Sequence, residues 1–281
     1  LAVNIAKEIS GEIISADSRQ VYIGLDIGTG KITEKEMLGI KHYVLDVADP
    51  NKRYSVMDFK NDAENAISEI VSKGKIPIVC GGTGFYIQNL IDNISLPNVK
   101  PNEELRKQLE IKSNDELFEI LSNLDSERAD TIDKDNKRKL IRAIEIVSEI
   151  GEVPKINTLE NKSRYEALFI GLNLPSDELK ERINKRLEKR INEGMIDEVV
   201  NLNKNGLSFE RMDELGLEYR YIAMYLKNIL SLEEMKEKLK TEIWHYAKRQ
   251  LTWFKRDKRI NWFEPSDIIV IKNKIKDFIN N

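Results

Sequence analysis

The stretch IPIVCGGTGFYI, residues 76–87, decides the fold class. Its first five residues are nearly all apolar, and the run is too short for a helix. A strand buried on both faces of a parallel sheet reads this way. Two glycines then break the strand, and the apolar spacing resumes with helical period after Thr83. Such a turn at a helix start can face an anion, or can simply join strand to helix. Upstream, Ser55 with Asp58 forms a capping-box pattern for a helix that runs to Gly74. KHYVLDV (41–47) and EIISA (12–16) read as two further strands, the latter ending in the polar DSRQ. LAVNIAKEISG (1–11) is a helix, apolar at Leu1, Ala2, Ile5, Ala6 and Ile9, with Gly11 at its C-terminus. It opens without a capping residue, which predicts that the helix begins upstream of Leu1. Strands alternating with helices at these spacings give an α/β core.

Between residues 101 and 164 the strand signals stop. NEELRKQLEI, NDELFEILSNL and NKRKLIRAIEIVSEIG are amphipathic helical patterns, the last ended by Gly151. A strand returns in YEALFIGLNL (165–174), so the helical segment is predicted to be an insertion between strands of one sheet. The expected division is a core of residues 1–104 and 165–281 with an inserted helical subdomain at 105–164. Beyond Ser176 the pattern is helical throughout, with a long helix over 232–257 begun by Ser231 and Glu234.

Bulk composition excludes several classes. With 281 residues the chain can bury a proper core. Charged residues make up 33% and the formal net charge is −3, so any nucleic-acid contact must rest on local basic patches. One cysteine and two histidines exclude a zinc finger. Cys80 reads as a small buried hydrophobe in a reducing compartment. No apolar run is long enough to span a membrane, which points to the cytoplasm.

Four segments carry candidate chemistry. GLDIGTGKIT (24–33) resembles a phosphate loop but fails it. Five residues separate Gly24 from Gly30 where four are required, and Ile32 follows Lys31 where a hydroxyl is needed. DSRQVY (17–22) follows a strand end, where open α/β sheets place their sites; Asp17 and Ser18 suit a hydrogen-bonded turn equally well. In NKRKLIR (136–142), Arg138, Lys139 and Arg142 share a helix face, suited to phosphate or merely to solvent. WHYAKRQLTWFKRDKR (244–259) mixes Trp244, Tyr246, Trp253 and Phe254 with cations including Lys248 and Arg249, a combination that suits RNA. Trp253 and Phe254 suit the core as well.

In this order, DSRQVYIGLDIGTGK, the YSVMDF helix, IPIVCGGTGFYI, NKRKLIRAIE and YAKRQLTWF resemble the bacterial tRNA dimethylallyltransferases over essentially the whole chain. The resemblance implies a P-loop NTPase-like parallel-sheet core, an inserted helical tRNA-binding subdomain and a helical C-terminal region. It implies transfer of a dimethylallyl group from dimethylallyl diphosphate to the exocyclic amine of the adenosine beside the anticodon, by a cytoplasmic monomer using Mg2+. Asp17 then matches the general base and Thr83 a residue near the reacting centre. The tRNA-contacting positions are Asp17, Ser18, Arg19, Gln20, Thr83, Arg106, Arg138, Lys139, Leu140, Ile141, Arg142, Lys248 and Arg249, which would bind the anticodon stem-loop.

The family's phosphate loop precedes the helix that opens this chain. The resemblance therefore places the metal-binding residues upstream of Leu1, and implies that residues 1–281 alone bind the donor poorly. Many members carry an arginine ahead of a Gly-Tyr-Arg/Lys motif to steady the diphosphate. Here RMDELGLEYRY puts Asp213 in that place, leaving Arg211 or Arg220 as substitutes. Ile243 and Trp244 stand where many members have Thr-Arg, and no zinc-finger extension is matched. The alternatives are a P-loop kinase acting on a small molecule or nucleotide, and a catalytically incompetent tRNA-binding fragment.

Overall fold

The computed structural model describes residues 1–94, 96–154 and 163–280. The chain starts with α1 (Ala2–Glu8), β1 (Gly11–Ser15), α2 (Glu34–Met37), β2 (His42–Tyr43), α3 (Val56–Ser72), β3 (Ile76–Cys80) and α4 (Gly84–Ile91). Four helices follow: α5 (Glu103–Glu110), α6 (Asn114–Leu124), α7 (Ser126–Thr131) and α8 (Lys137–Ile150). The remainder is β4 (Ile170–Leu172), α9 (Ser176–Asn192), α10 (Met195–Lys204), α11 (Phe209–Leu215), α12 (Leu217–Leu226), α13 (Leu232–Phe254), β5 (Asn261–Phe263) and α14 (Ile268–Asn280). Two compact units result: Leu1–Ile91 with Ser163–Asn281, and Asp92–Lys162.

In the first unit β1 lies between β2 and β3, parallel to both. All five of its residues are buried, as a central strand demands. Ile14, Phe59, Ile70 and Leu90 fill the core beneath it, and Phe59 stacks on Tyr86 with centroids 4.3 Å apart. Side chains of this size contribute about 1.5–3 kcal/mol each when fully buried. The helices that cover the sheet are punctuated as expected. Ser55 and Asp58 close the capping box of α3, and Ser231 and Glu234 that of α13.

Several expectations are corrected. Gly11 is the first residue of β1, not the end of α1; Ser10 takes the left-handed turn instead, with φ 54°. The strand expected over 41–47 pairs only at His42–Tyr43, because Val44 and Asp46 adopt left-handed φ values of 61° and 54°. No extended run survives that. The apolar β3 is half-buried instead of covered on both faces, and among the described residues it pairs with β1 alone. Cys80 is accordingly exposed. The strand at 165–174 shrinks to β4, which pairs in parallel with β5 in a separate two-stranded sheet. β5 also interrupts a C-terminal region expected to be wholly helical, and the helix expected over 232–257 ends at Phe254.

The second unit packs α6 and α8 around Leu117, Leu121, Leu140 and Ile144. Gly151, at φ 87°, ends α8 as its sequence indicated. Residue 105, the expected boundary, lies within α5, and the segment before that helix is tied to α8 around one buried carboxylate. Glu145 accepts two hydrogen bonds from the Arg106 guanidinium, at 2.7 and 2.8 Å, one from the Asn102 amide at 2.9 Å and one from Arg142 at 3.2 Å. Arg142 also donates to the Val99 carbonyl at 2.7 Å. The segment before α5 is thus stitched to α8.

Burial opposes ionisation of Glu145, but the hydrogen bonds from Arg106 and Asn102 outweigh it and hold the pKa below the ordinary carboxylate value. A depressed carboxyl pKa contributes stability that is fully present above the unfolded value of about 4.3 and is lost as pH falls through the folded value. Glu145→Gln is expected to cost about 3 kcal/mol near neutral pH, because Arg106 is left without its charged partner. The gap from the unsubstituted protein, measured by denaturant melts of the whole chain, should narrow as the pH drops below about 4.

Candidate active site at the carboxyl edge of the sheet

The parallel strands β1 and β3 end side by side, and the loops beyond them are tied together. The Ala16 amide donates to the Cys80 carbonyl at 2.9 Å, extending the ladder by one residue. The Ala16 carbonyl then accepts the Thr83 amide at 3.1 Å, and the Thr83 hydroxyl oxygen accepts the Ser18 amide at 3.0 Å. Gly81 makes this approach possible: a Cβ there would sit 2.2 Å from the Ala16 carbonyl oxygen. Asp17 stands between these contacts. Its Oδ1 accepts the amides of Arg19 at 2.8 Å and Gln20 at 3.3 Å. The turn reading of DSRQ is seen in these two bonds, and Oδ2 makes no hydrogen bond among the described residues.

Helix α13 closes one side. From α13, Gln250 donates to the Gly82 carbonyl at 2.9 Å, and Trp253 meets Phe85 edge-on with centroids 6.4 Å apart. Tyr246, one turn before Gln250, lies near Asp17 and Arg19; burial raises its phenol pKa, and the Asp17 charge adds to that. The Arg19 guanidinium is pulled down by burial against the opposing influence of Tyr22, Tyr246, Asp17 and Tyr86. The aromatic and basic pattern of 244–259 includes Tyr246 but does not single out Gln250. Their spacing of four on a helix, one face toward the glycine turn, was the available signal.

The glycine-rich turn at 24–33 has a different task from the one its appearance suggests. The amides of Asp26, Ile27 and Gly28 all donate to the Glu198 carboxylate of α10, at 3.0, 2.6 and 3.1 Å. The Tyr219 hydroxyl donates to the same carboxylate at 2.9 Å. The loop is an anion nest, filled by the chain's own side chain. Lys31 points back to the Tyr22 carbonyl, Asp26 and Asp46, and Gln20 donates to the carbonyls of Thr29 and Gly30. No sequence signal links Glu198 to this loop, because the partners are so far apart in the chain.

The remaining candidates divide sharply. Arg138, Lys139, Lys248 and Arg249 are exposed. Lys139 faces Asp133 at 3.3 Å and Lys248 lies 5.6 Å from the Trp244 ring, whereas Arg138 and Arg249 make no hydrogen bond or ion pair among the described residues. Leu140 and Ile141 are buried in the second unit's core, so their side chains are turned away from any partner. Arg106 and Arg142 are committed to Glu145. Arg211 is likewise committed: it donates to the carbonyls of Pro50 and Lys52, to the Tyr22 hydroxyl and to Glu214. Arg220 pairs with Asp213 at 2.7 Å and bonds its carbonyl.

These features define an α/β protein whose carboxylate, hydroxyl and basic aromatic helix converge beyond the carboxyl ends of parallel strands. The IPP transferase family model matches residues 20–257. The chain is 37% identical to the tRNA dimethylallyltransferase of Anoxybacillus flavithermus, over all of this chain and 90% of that one. It is similar to the crystal structure of the tRNA isopentenylpyrophosphate transferase of Bacillus halodurans, with a TM-score of 0.73 at 35% identity, covering 98% of this chain and 90% of that one. It is also similar to a eukaryotic dimethylallyltransferase described as acting on tRNA, with a TM-score of 0.83 at 26% identity, covering 100% and 76%. The chain belongs to the IPP transferase family and has the P-loop NTPase-like α/β fold of its members. That membership sets the kinase alternative aside.

The Glu198 nest has a measurable consequence. In Glu198→Gln the side chain keeps one acceptor but turns an amide N–H₂ toward backbone donors. Loss of charge-assisted hydrogen bonds should lower stability by about 1.5–3 kcal/mol in urea melts. Tyr219→Phe, which removes a single donor, should cost about 1 kcal/mol.

Proposed function

We propose that the protein transfers a dimethylallyl group from dimethylallyl diphosphate to the exocyclic amine of the adenosine adjacent to a tRNA anticodon. The observation that carries this reading is the placement of Asp17 and Thr83 together at the sheet's carboxyl edge in a chain of this family. The amine is a poor nucleophile because its lone pair is delocalised into the ring. As nitrogen bonds the allylic carbon, the carbon–oxygen bond breaks, its electron pair leaves with the diphosphate, and the amine proton passes to Asp17. Oδ1 is held by two backbone amides, which fixes the carboxylate while Oδ2 takes the proton. Thr83 holds the Asp17 turn through the Ser18 amide.

An adenine reaches this site only by leaving the base stack. Tyr246, half-buried on α13 near Asp17, supplies a ring face suited to an extruded base. Ser18 and Gln20 line the same turn. Exposed Arg138, Lys139, Lys248 and Arg249 supply the phosphate contacts. Arg106 and Arg142 support the second unit through Glu145 instead. Among the described residues no group of three or more His, Cys, Asp or Glu side chains suits a metal ion, so they do not fit a magnesium ion held by protein ligands alone. Magnesium belongs, on this reading, with the diphosphate, whose charge it neutralises. No helix among the described residues is long and apolar enough to cross a membrane. The protein acts in the cytoplasm as a monomer.

The test is incubation of the full-length gene product with dimethylallyl diphosphate, magnesium and an anticodon stem-loop, followed by mass spectrometry of the RNA. A five-carbon addition on the adenosine is expected, and an unmodified RNA would refute the proposal. Asp17→Asn keeps the turn, since Asn is itself a favoured turn residue, but removes the base. A rate loss on the order of a hundred- to ten-thousandfold at unchanged melting temperature is expected. For binding, Arg138→Ala and Arg249→Ala should each reduce the salt slope of stem-loop affinity by about one. Arg142→Ala should chiefly lower the melting temperature.

A further inference from the structure

The two arginines that sequence offered for the diphosphate are occupied, and a third, Arg190, lies against the glycine-rich turn that follows the Asp17 segment. Arg190 projects from α9 with a side chain only 14% exposed. Its guanidinium lies against the glycine-rich turn: a Cβ on Gly30 would sit 1.6 Å from one terminal nitrogen and 2.5 Å from Cζ. Gly30 itself is at φ 62°, so the turn both needs glycine and leaves room for the cation. An arginine carries five N–H donors. The one hydrogen bond Arg190 makes among the described residues is a 3.4 Å contact to the Gly28 carbonyl.

Its nearest counter-ion is Glu218, 12% exposed, at 3.6 Å. That is longer than a charge-assisted hydrogen bond, in contrast to the 2.7 Å between Arg106 and Glu145. Glu218 is carried inward on a strained backbone. Gly216 has φ 75° and Leu217, which bears a Cβ, has φ 39°. Strain of this kind persists where the surrounding structure enforces it, and it clusters at ligand sites. A second cation, Arg186, stands close enough on the same helix to influence both groups, and Asp17 does so from the sheet edge. Burial lowers the Arg190 pKa, with Arg186 acting the same way, and burial raises that of Glu218.

We infer that Arg190 is a binding residue for the diphosphate leaving group, loosely held by Glu218 until that anion arrives. The proposal rests on the prenyl-transfer reading for the identity of the substrate. The negative charge that grows on the diphosphate as its bond to carbon breaks meets a guanidinium with most of its donors unused, against the turn whose Thr29 and Gly30 carbonyls bond Gln20 of the Asp17 segment. Glu218 competes for the same cation and therefore weakens the bound anion. The side-chain exchange is the step: Arg190 gives up the 3.6 Å contact to Glu218 for two-pronged bonds to phosphate oxygens.

The test titrates inorganic pyrophosphate with magnesium into the full-length gene product by calorimetry, with stem-loop affinity and melting temperature measured in parallel. Arg190→Gln should weaken pyrophosphate binding at least about tenfold, while Arg190→Lys retains part of it and stem-loop affinity stays within about twofold. Glu218→Gln keeps the cation and removes its competitor, so pyrophosphate should bind several-fold more tightly. Pyrophosphate affinity unchanged in a folded Arg190→Gln protein would overturn the assignment. Should Arg190→Gln fail to fold, unchanged or weaker binding in Glu218→Gln would overturn it just as well. An unsubstituted protein that binds pyrophosphate through Arg190 yet modifies no stem-loop would refute the prenyl-transfer reading and sustain this one.

Discussion

One backbone carbonyl, that of Ala16, holds the site together. It receives the Thr83 amide beyond the end of β3, and the Thr83 hydroxyl returns the connection to the Ser18 amide. The loops after two parallel strands are thereby fixed to each other with Asp17 between them. The close approach depends on Gly81 having no side chain. It also depends on the register of β1 against β3, which brings Ser15 level with Cys80. A slip of one residue would invert every side chain on the strand and separate Ala16 from Thr83. The core around Ile14 and Phe59 enforces that register, so packing well below the site determines the geometry within it.

Elsewhere the molecule repeatedly assigns a charged group to internal work. Glu198 fills the amide nest of the glycine-rich turn, Glu145 binds two arginines and an amide, and Arg211 gathers two carbonyls, a phenol and a carboxylate. A buried carboxylate is stable only when such partners are complete. This explains why cations that share a helix face in the sequence part company in the structure. Arg138 is open to solvent, while Arg142, one turn on, supports the backbone at Val99. Charge pattern alone cannot distinguish a cation kept for a partner from one spent on the fold.

Against that background Arg190 and Glu218 differ in kind. Glu198 and Glu145 are met by short hydrogen bonds from several donors, whereas Glu218 faces its arginine at 3.6 Å across a strained turn. Fully satisfied networks rigidify a structure, and a buried polar group left partly unpaired is costly. A diphosphate, with charge that increases as it departs, has the chemistry to complete it.

The sequence by itself determined the local elements and the family. Alternating strands and helices, capping boxes at Ser55 and Ser231, the left-handed stop at Gly151 and the motifs around Asp17 and Thr83 are all set by residues close in the chain. It also showed that GLDIGTGKIT is no phosphate loop, because spacing and hydroxyl chemistry are local properties. Only the tertiary structure decided what that turn holds, since Glu198 lies 170 or more residues from the amides it accepts. The same holds for the short β2, for the pairing of β4 with β5, for the exposure of Cys80 on a strand paired on one side, and for the division of arginines between fold and site. Each depends on which distant group arrives to satisfy a buried charge or an open strand edge, and periodicity along the chain carries no record of that arrival.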